Sequence, residues 1–483
     1  MRKFTRRQWV KGSAAAAMAC ALPKHVRAQA RGANGDIRVA VVGLRTRGSQ
    51  LVDIFLRLPD VRIVALCDCD TQFFDRELKK FANAKTKPRT VVDFRRLLGS
   101  KDVDAVVIAS PDHWHALMTV WACQAGKDVY VEKPISNNIW EGRQMVAAAG
   151  KYKRIVQTGT QNRSDIGLAA ARKFVQAGQL GKIRLARAFS FPRRKGIGKV
   201  DGPQKPPATC DYNLYRGPAP LTPLRRKVFH YDWHWFWDTA TGECGNRGVH
   251  IFDHIRWIIG QDELSTGAVT IGGRMAWDDD GETPNVQVTL LEGKGAPILF
   301  ELSDLPRGKG AARKLGHPKA RGTTLIEYEG GYLTGGRGGA TAFDWKHKEI
   351  KTFKGDAGRT HAANFIAAMR SRKPGDLRAD VLQGHISSAM CHLANVSYLV
   401  GYRRREQEIR KAAGDHEVLA DAYARLAGHL KGNNVNLDTD RITLGASLTM
   451  DPKTERFTGA SAEWANMYLG RVYRPPFVVP QKV

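Results

Sequence analysis

Three stretches of this chain hold residues whose types and spacing could do chemistry. The segment "AGKDVYVEKPIS" (125–136) ends a short apolar run with Glu132 and Lys133, then locks the chain at Pro134. An ammonium at such a tip can donate to a hydroxyl oxygen and stabilise negative charge that develops there. In "CGNRGVH", Asn246 and His250 stand four residues apart, which puts both on one face of a helix. His250 can take a hydroxyl proton as general base, since an unperturbed imidazole titrates near about 6.5. Asn246 can bind substrate or orient that ring through its carbonyl oxygen, but it cannot stabilise an imidazolium as a carboxylate would. Asp253, one turn later, could supply the missing charge. A core histidine without a catalytic part is the competing reading of His250.

The third stretch is "GLRTRG", from Gly43 through Leu44 and Arg45 to Gly48. A dinucleotide loop reads G-x-G-x-x-G, its middle glycine letting the backbone approach the pyrophosphate. Here Arg45 takes that place. A Walker loop is excluded, because Ser49 rather than lysine follows Gly48. The loop's position supports a dinucleotide role: it follows the first strand and opens a helix whose N-terminus can hold phosphate. Asp68 closes the second strand, where a carboxylate accepts hydrogen bonds from a ribose diol and repels a 2′-phosphate. NAD is therefore favoured over NADP, although Arg45 could pair with either phosphate group.

A sheet must position these residues. From Ile37 to Gly159, "IRVAVVG", "VRIVALCD", "DAVVIASP", "KDVYVEKP" and "RIVQTGT" read as strands separated by amphipathic helices. Strands this apolar are buried on both faces, which requires a parallel sheet covered by helices and, with right-handed crossovers, a doubly wound one. Ligands of such a sheet lie beyond the carboxyl ends of its strands. That gathers Ser110, Pro111 and His115 of "ASPDHWH" with Glu132, Lys133 and Gln161 around one cleft. His113 and His115 form an H-x-H pair, yet alternate residues do not face one ligand and no carboxylate partner is evident, so no metal is expected.

"AGKDVYVEKP", "SPDHWH" and "TGECGNRGVHIFDHIRW" (241–257) resemble the glucose–fructose oxidoreductase / inositol dehydrogenase / MocA family, and the resemblance covers essentially the whole chain after the first thirty residues. "WHWFWDTATGECGN", "DDGETPNVQV" and "HAANFIAAMRSRKPGDLRADVLQGH" are similar to its exported bacterial subgroup. The resemblance implies an α/β protein: an N-terminal doubly wound Rossmann domain, then a C-terminal α+β domain with an open, mostly antiparallel sheet. One face of that sheet would roof the nicotinamide, the other commonly makes oligomer contacts. Lys133 would stand beside the nicotinamide with Pro134 holding the backbone rigid, a cis bond being one way to do so. Asn246 departs from the family's D-x-x-x-H step. An Asp→Asn change at a comparable orienting position can cost about 10⁴ in rate.

The expected division is a signal segment at 1–30, an NAD-binding domain at 31–160, a substrate and oligomerisation domain at 161–405, and a C-terminal helix, hairpin and extended arm at 406–483 packed on the fold. In "FHYDWHWFWD", Trp233, Trp235 and Trp237 share a face if extended and could stack on sugar rings, or could pack between domains. His230 and His234 have i, i+4 metal spacing without a third ligand. Arg163, beside Gln161, could hold the carboxylate of an acidic sugar bidentately, or sit in a structural ion pair.

The 483 residues carry a net charge of +29 with 42% hydrophobic content, a globular balance. No apolar run is long enough to span a membrane as a helix. Basic residues spread along the whole length without a nucleic-acid-binding motif, so nucleic acid is not the expected partner. They form a solvated basic surface or attract anionic polysaccharide or cell envelope. Six cysteines beyond Cys20 show no C-x-x-C spacing and are expected as buried thiols. "TRRQWVK" resembles a twin-arginine export signal ahead of a short apolar stretch and Ala28-Gln29-Ala30. A periplasmic protein, exported folded with its cofactor and assembled as a homodimer or tetramer, is expected.

Three functions fit these residues. One is an NAD-dependent dehydrogenase acting on a sugar or cyclitol, an anionic sugar included. The second is a glycosidase or lyase that oxidises transiently, eliminates and returns the hydride. The third is a non-catalytic sugar-binding module.

Overall fold

The computed structural model describes residues 35–307, 315–440 and 442–483; the expected signal segment at 1–30 lies outside the described residues. The first sheet comprises β1 (Ile37–Val42), β2 (Val61–Cys67), β3 (Arg89–Val91), β4 (Ala105–Ile108), β5 (Asp128–Val131) and β6 (Val156–Thr158), in the order β3-β2-β1-β4-β5-β6. All of its pairings are parallel. β1 is buried at every position but Arg38, as a central strand must be. Helix α1 (Thr46–Leu56) lays Leu51, Val52 and Phe55 on one face, against Val39, Val41 and Val107. Helices α2 (Asp112–Gln124) and α3 (Ile139–Lys151) cover the other. The strand order reverses between β1 and β4, and the crevice opens at that switch point.

After α4 (Ile166–Gln176) the chain builds a second sheet from β7 (Ile183–Ser190), β8 (Gly267–Gly273), β9 (Val286–Glu292), β10 (Ile298–Ser303), β11 (Thr324–Tyr328), β12 (Gly331–Gly336), β13 (Gly339–Phe343) and β14 (Glu349–Lys354). β15 (Tyr402–Arg404) and β16 (Ile442–Leu444) extend its edge. The hairpin of β17 (Leu448–Asp451) and β18 (Arg456–Thr458) joins beside β8. Within this second sheet, only β7 and β10 pair in parallel among the described strands; the rest are antiparallel.

The inner face of this sheet meets α5 (Val249–Ile259), which is entered through a π-helical turn at Cys244–Gly248. α6 (His361–Ser371) returns to the first domain, where Phe365 and Met369 join the α1 core. α7 (Val381–Leu399) packs between α3 and the second sheet. On the outer face, α8 (Glu417–Lys431) places Tyr423, Leu426 and Leu430 against Leu185, Val288 and Leu299. The face that the resemblance reserves for oligomer contacts is thus partly covered by the chain's own helix. Residues 406–483 also do more than pack on the fold: β16, β17 and β18 belong to the sheet, and Phe477 and Val479 enter the core under α2. Cys69 and Cys210 are half-exposed, not buried; the other four described cysteines, Cys67, Cys123, Cys244 and Cys391, are buried.

The two domains are tied by a buried ion pair that corrects one expectation. Arg163, in the turn Gln161–Ser164 after β6, donates through Nε to both carboxylate oxygens of Asp253 on α5, at 2.9 and 3.0 Å. Its side chain is 4% exposed and that of Asp253 0%, so Arg163 clamps the domains and is not a substrate contact. Ser387 of α7 adds a bond to Asp253 at 2.7 Å. Asp253 is therefore spent on packing and does not supply charge to His250. Removing one member of a buried pair strands the other charge, at about 3–5 kcal/mol. Arg163→Met is expected to lose stability of that order in urea unfolding while leaving substrate affinity unchanged in the folded fraction; the reverse pattern would restore its substrate role.

Candidate active site

The cleft begins where β1 runs out. Gly43 has φ +80°, and a Cβ there would lie 2.7 Å from the backbone of Ala109 and Ser110. A Cβ on Gly48 would lie 1.6 Å from Gly43 O. Both positions therefore require glycine, and the first turn of α1 stands hard against the strand ends with no side chain capping it. Uncapped N–H groups so placed suit a pyrophosphate. Arg45 leaves that space open: its guanidinium crosses the cleft to donate to His230 O and lies over the Tyr231 ring.

Asp68 closes β2. Oδ2 accepts from Leu44 N at 2.7 Å and Oδ1 from Asp70 N at 2.9 Å, while burial pushes its carboxyl up to about 6. At neutral pH it is ionised and keeps lone pairs for a ribose diol. Leu44 contributes only this N–H, its side chain being core. A cavity of about 290 Å³ runs from Gly43 and Asp68 past Ser110 and Pro111, under Tyr231 and Trp233. The glycine cradle, bare helix start and acidic strand end fit a nicotinamide dinucleotide.

Around Lys133 the expected residues take different parts. The Lys133–Pro134 peptide is cis. Glu132 accepts from Arg47 Nε at 2.7 Å and Gln161 Nε2 at 3.2 Å. Gln161 also donates to Tyr130 Oη at 3.0 Å. Arg47 lines the cavity, so Glu132 and Gln161 brace its wall. His115 is buried with Nδ1 facing Pro134 O at 2.6 Å and Nε2 facing Ser110 O at 2.7 Å. Its ring has no edge left for a cofactor; it pins the two strand-end loops together.

Lys133 Nζ donates to Asn246 O at 2.7 Å and Asn246 Oδ1 at 3.1 Å, across the domain boundary. One of its three donors remains for a ligand. Burial lowers the Lys133 titration, against the pull of Asp112, Glu132 and Glu243. His250 follows the π-helical turn, and its imidazole has no hydrogen-bond partner among the described residues. Burial, then the charges of Lys133 and Arg47, hold it well below the ordinary histidine range. It is a neutral base. Asn246 does not orient it, since both ends of the amide are engaged by Lys133 and Glu243.

The aromatic run is not extended. Residues Asp232–Trp235 form a 3-10 turn, so Trp233, Trp235 and Trp237 do not share a face. Trp233 stacks on His234 at 3.8 Å and lines the cavity. Trp237 lies elsewhere, near Tyr398, with its N–H donating to Glu282. His230 bonds Asp70 and His234 bonds Tyr231 O, and no group of three or more metal-ligating side chains occurs among the described residues. Two carboxyls went unassigned in the sequence. Asp112, pushed up to about 7 by burial, faces Lys133, and Glu243 holds Asn246. Both stand in quoted motifs, and Glu243 precedes Asn246 by three residues, a spacing that places neighbours on one helical face.

The profile of an oxidoreductase family with an NAD-binding Rossmann fold, that of the glucose–fructose oxidoreductase / inositol dehydrogenase / MocA proteins, matches residues 37–160. The same family's C-terminal alpha/beta domain matches residues 165–304. Among curated proteins, a glycosyl hydrolase family 109 protein of Shewanella sp. (strain MR-4) is 31% identical over 124 residues, 24% of this chain and 27% of that protein. One of Stenotrophomonas maltophilia is 37% identical over 235 residues, 47% of this chain and 50% of that protein. The chain thus spans a quarter to half the length of these relatives. Among solved structures, the WlbA dehydrogenase of Bordetella pertussis, in complex with NADH and UDP-GlcNAcA, superposes with a TM-score of 0.53 at 18% identity, covering 74% of this chain and 94% of that one. Together the two family profiles take in just over half of the chain, which belongs to the glucose–fructose oxidoreductase / inositol dehydrogenase / MocA family of oxidoreductases, with a nicotinamide-dinucleotide-binding Rossmann domain followed by the family's alpha/beta domain.

Proposed function

We propose that the protein is an exported NAD(H)-dependent oxidoreductase acting on a hydroxyl of a sugar or cyclitol. The observation that carries this reading is the pairing of a half-buried ammonium with a neutral, unbonded imidazole: Lys133 is held by Asn246 from the opposite domain, and His250 lies near enough to feel its charge. The bound dinucleotide supplies a hydride acceptor. Lys133 donates to the substrate oxygen with its remaining N–H and stabilises negative charge there. His250, already unprotonated, receives the hydroxyl proton at a ring nitrogen. Asp68 at the ribose end supports NAD over NADP. Export rests on the twin-arginine-like "TRRQWVK". A basic surface suits an anionic sugar among the substrates, and a homo-oligomer is expected from the family.

A second reading keeps the same residues. The similarity to glycosyl hydrolase family 109 proteins favours transient oxidation, elimination beside the new carbonyl, and return of the hydride, with the dinucleotide retained. Free sugars, uronic acids and cyclitols incubated with NAD+ separate the two: stoichiometric NADH supports net oxidation, whereas cleavage of chromogenic glycosides without NADH release supports the second. In either case Lys133→Ala is expected to lower kcat by about 10²–10³ and His250→Ala by about 10²–10⁴. Unchanged turnover in both variants would leave the sugar-binding module.

The pH profile follows from the two displaced titrations. His250 loses its base form only when protonated, and its lowered pKa moves that acid limb below about 6.5. Lys133 loses its ammonium as pH rises, and its lowered pKa brings the alkaline limb below about 10.5. The measurement is kcat/KM against pH with the best sugar of the screen. Asp68 and Asp112 titrate near about 6 and about 7, so the His250 limb is the one that His250→Ala abolishes; a limb at the ordinary histidine value that this variant removes, or no limb that it changes, would contradict the assignment.

A further inference from the structure

We infer that Glu243 is the positioning residue of the Lys133 amine: it fixes the Asn246 amide so that its carbonyl oxygen faces the ammonium, and it supplies from behind that amide the negative charge that Asn246 lacks. The inference rests on the reading above only for the use to which that amine is put.

The geometry gives the amide one orientation. Asn246 Nδ2 donates to Glu243 Oε2 at 3.1 Å, and Asn246 Oδ1 accepts from Lys133 Nζ at 3.1 Å. An ionised carboxylate only accepts and an ammonium only donates. Turned over, the amide would set its NH2 against the ammonium and its oxygen against the carboxylate, two repulsive contacts in place of two bonds.

Glu243 is itself fixed. It is 1% exposed, and Arg194 Nη2 donates to its two oxygens at 3.0 and 3.3 Å. The other end of the Arg194 guanidinium donates to Tyr231 Oη at 2.6 Å, on the roof of the cleft. Asp304, after β10, is fully buried, and neither of its side-chain oxygens has a hydrogen-bond partner. Burial and the nearby Glu243 hold the Asp304 carboxyl well above the usual range. Glu243 is the member of the pair that holds the arginine.

The charges facing Lys133 come from four directions. Asp112 of α2, Glu132 at the end of β5 and Glu243 before the π-helical turn raise its titration, and Arg47 of α1 lowers it. His250 and His234 feel the lysine in turn. Glu243 is distinct in acting through a hydrogen-bonded intermediary.

The test needs neither substrate nor cofactor. The full chain is acetylated with acetic anhydride across alkaline pH, and Lys133 is followed by peptide mass spectrometry. Glu243→Gln keeps the shape and removes the charge. Lys133 acetylation at a fixed pH is expected to rise several-fold, because less negative charge favours the free amine. The double variant Glu243→Gln/Asn246→Asp moves the carboxylate beside the amine and is expected to bring acetylation back to the wild-type level or below. If Glu243→Gln does not fold, Glu243→Asp is read in its place: it keeps the charge but withdraws it by one methylene from Asn246, and a smaller rise in acetylation is expected. An unchanged Lys133 titration in the folded variant, with only the urea midpoint lowered, would reduce Glu243 to a structural partner of Arg194 and leave the oxidoreductase reading intact.

Discussion

A lysine ammonium taken out of water must find partners, and in this protein it finds them in the other domain. Lys133 leaves the Rossmann sheet at the tip of β5 and is received by both oxygens of Asn246, which opens the helix under the second sheet. A buried charge without such partners would be costly enough to neutralise itself. The bond therefore does two things at once. It offsets part of the cost of burying the amine at the cleft, and it couples the strand tips of the first domain to the helix start under the second sheet. The nearby pair of Arg163 and Asp253 closes the same boundary with a full ion pair, so the relative placement of the domains is over-determined at the point where chemistry is read.

Burial sorts the ionisable groups into roles. His250, with no partner among the described residues, is driven toward neutrality and becomes a base. Lys133 is pushed the same way but is restrained by three carboxylates. Asp112, with only Thr241 for a side-chain partner, rises to about 7. A neutral imidazole within reach of an ammonium's charge suits the proton removal and alkoxide stabilisation proposed above. No carboxylate bonds this imidazole among the described residues.

Much of this was legible in the amino-acid sequence, for a physical reason. Strands such as "IRVAVV" and "AVVI" are apolar on both faces, which leaves them one home. Glycines 43 and 48 mark close backbone approaches that no other residue permits, and the lysine before Pro134 stands at a strand tip. The second sheet was less legible from pattern than from family resemblance, because β11 to β14 are short and glycines interrupt the alternation in β12 and β13. Arg163 and Asp253 misled because their pairing joins positions ninety residues apart, and a guanidinium near a cleft looks the same in sequence whether it binds substrate or packs. The spacing of Trp233, Trp235 and Trp237 misled because a 3-10 turn destroys the shared face that an extended chain would give, although Trp233 still lines the cavity. Glu243 was overlooked for the opposite reason: its partner Asn246 is local, but the significance of that contact appears only when Lys133 arrives from 113 residues away.

A crystal structure of the full chain soaked with NAD+ would be most direct. The pyrophosphate is expected over Gly43 to Gly48 at the start of α1, the adenosine ribose on Asp68, and the nicotinamide ring in contact with the Lys133 ammonium. A dinucleotide bound elsewhere, or a ring separated from Lys133 with the amine turned to solvent, would contradict the reading of this site as a place of hydride transfer.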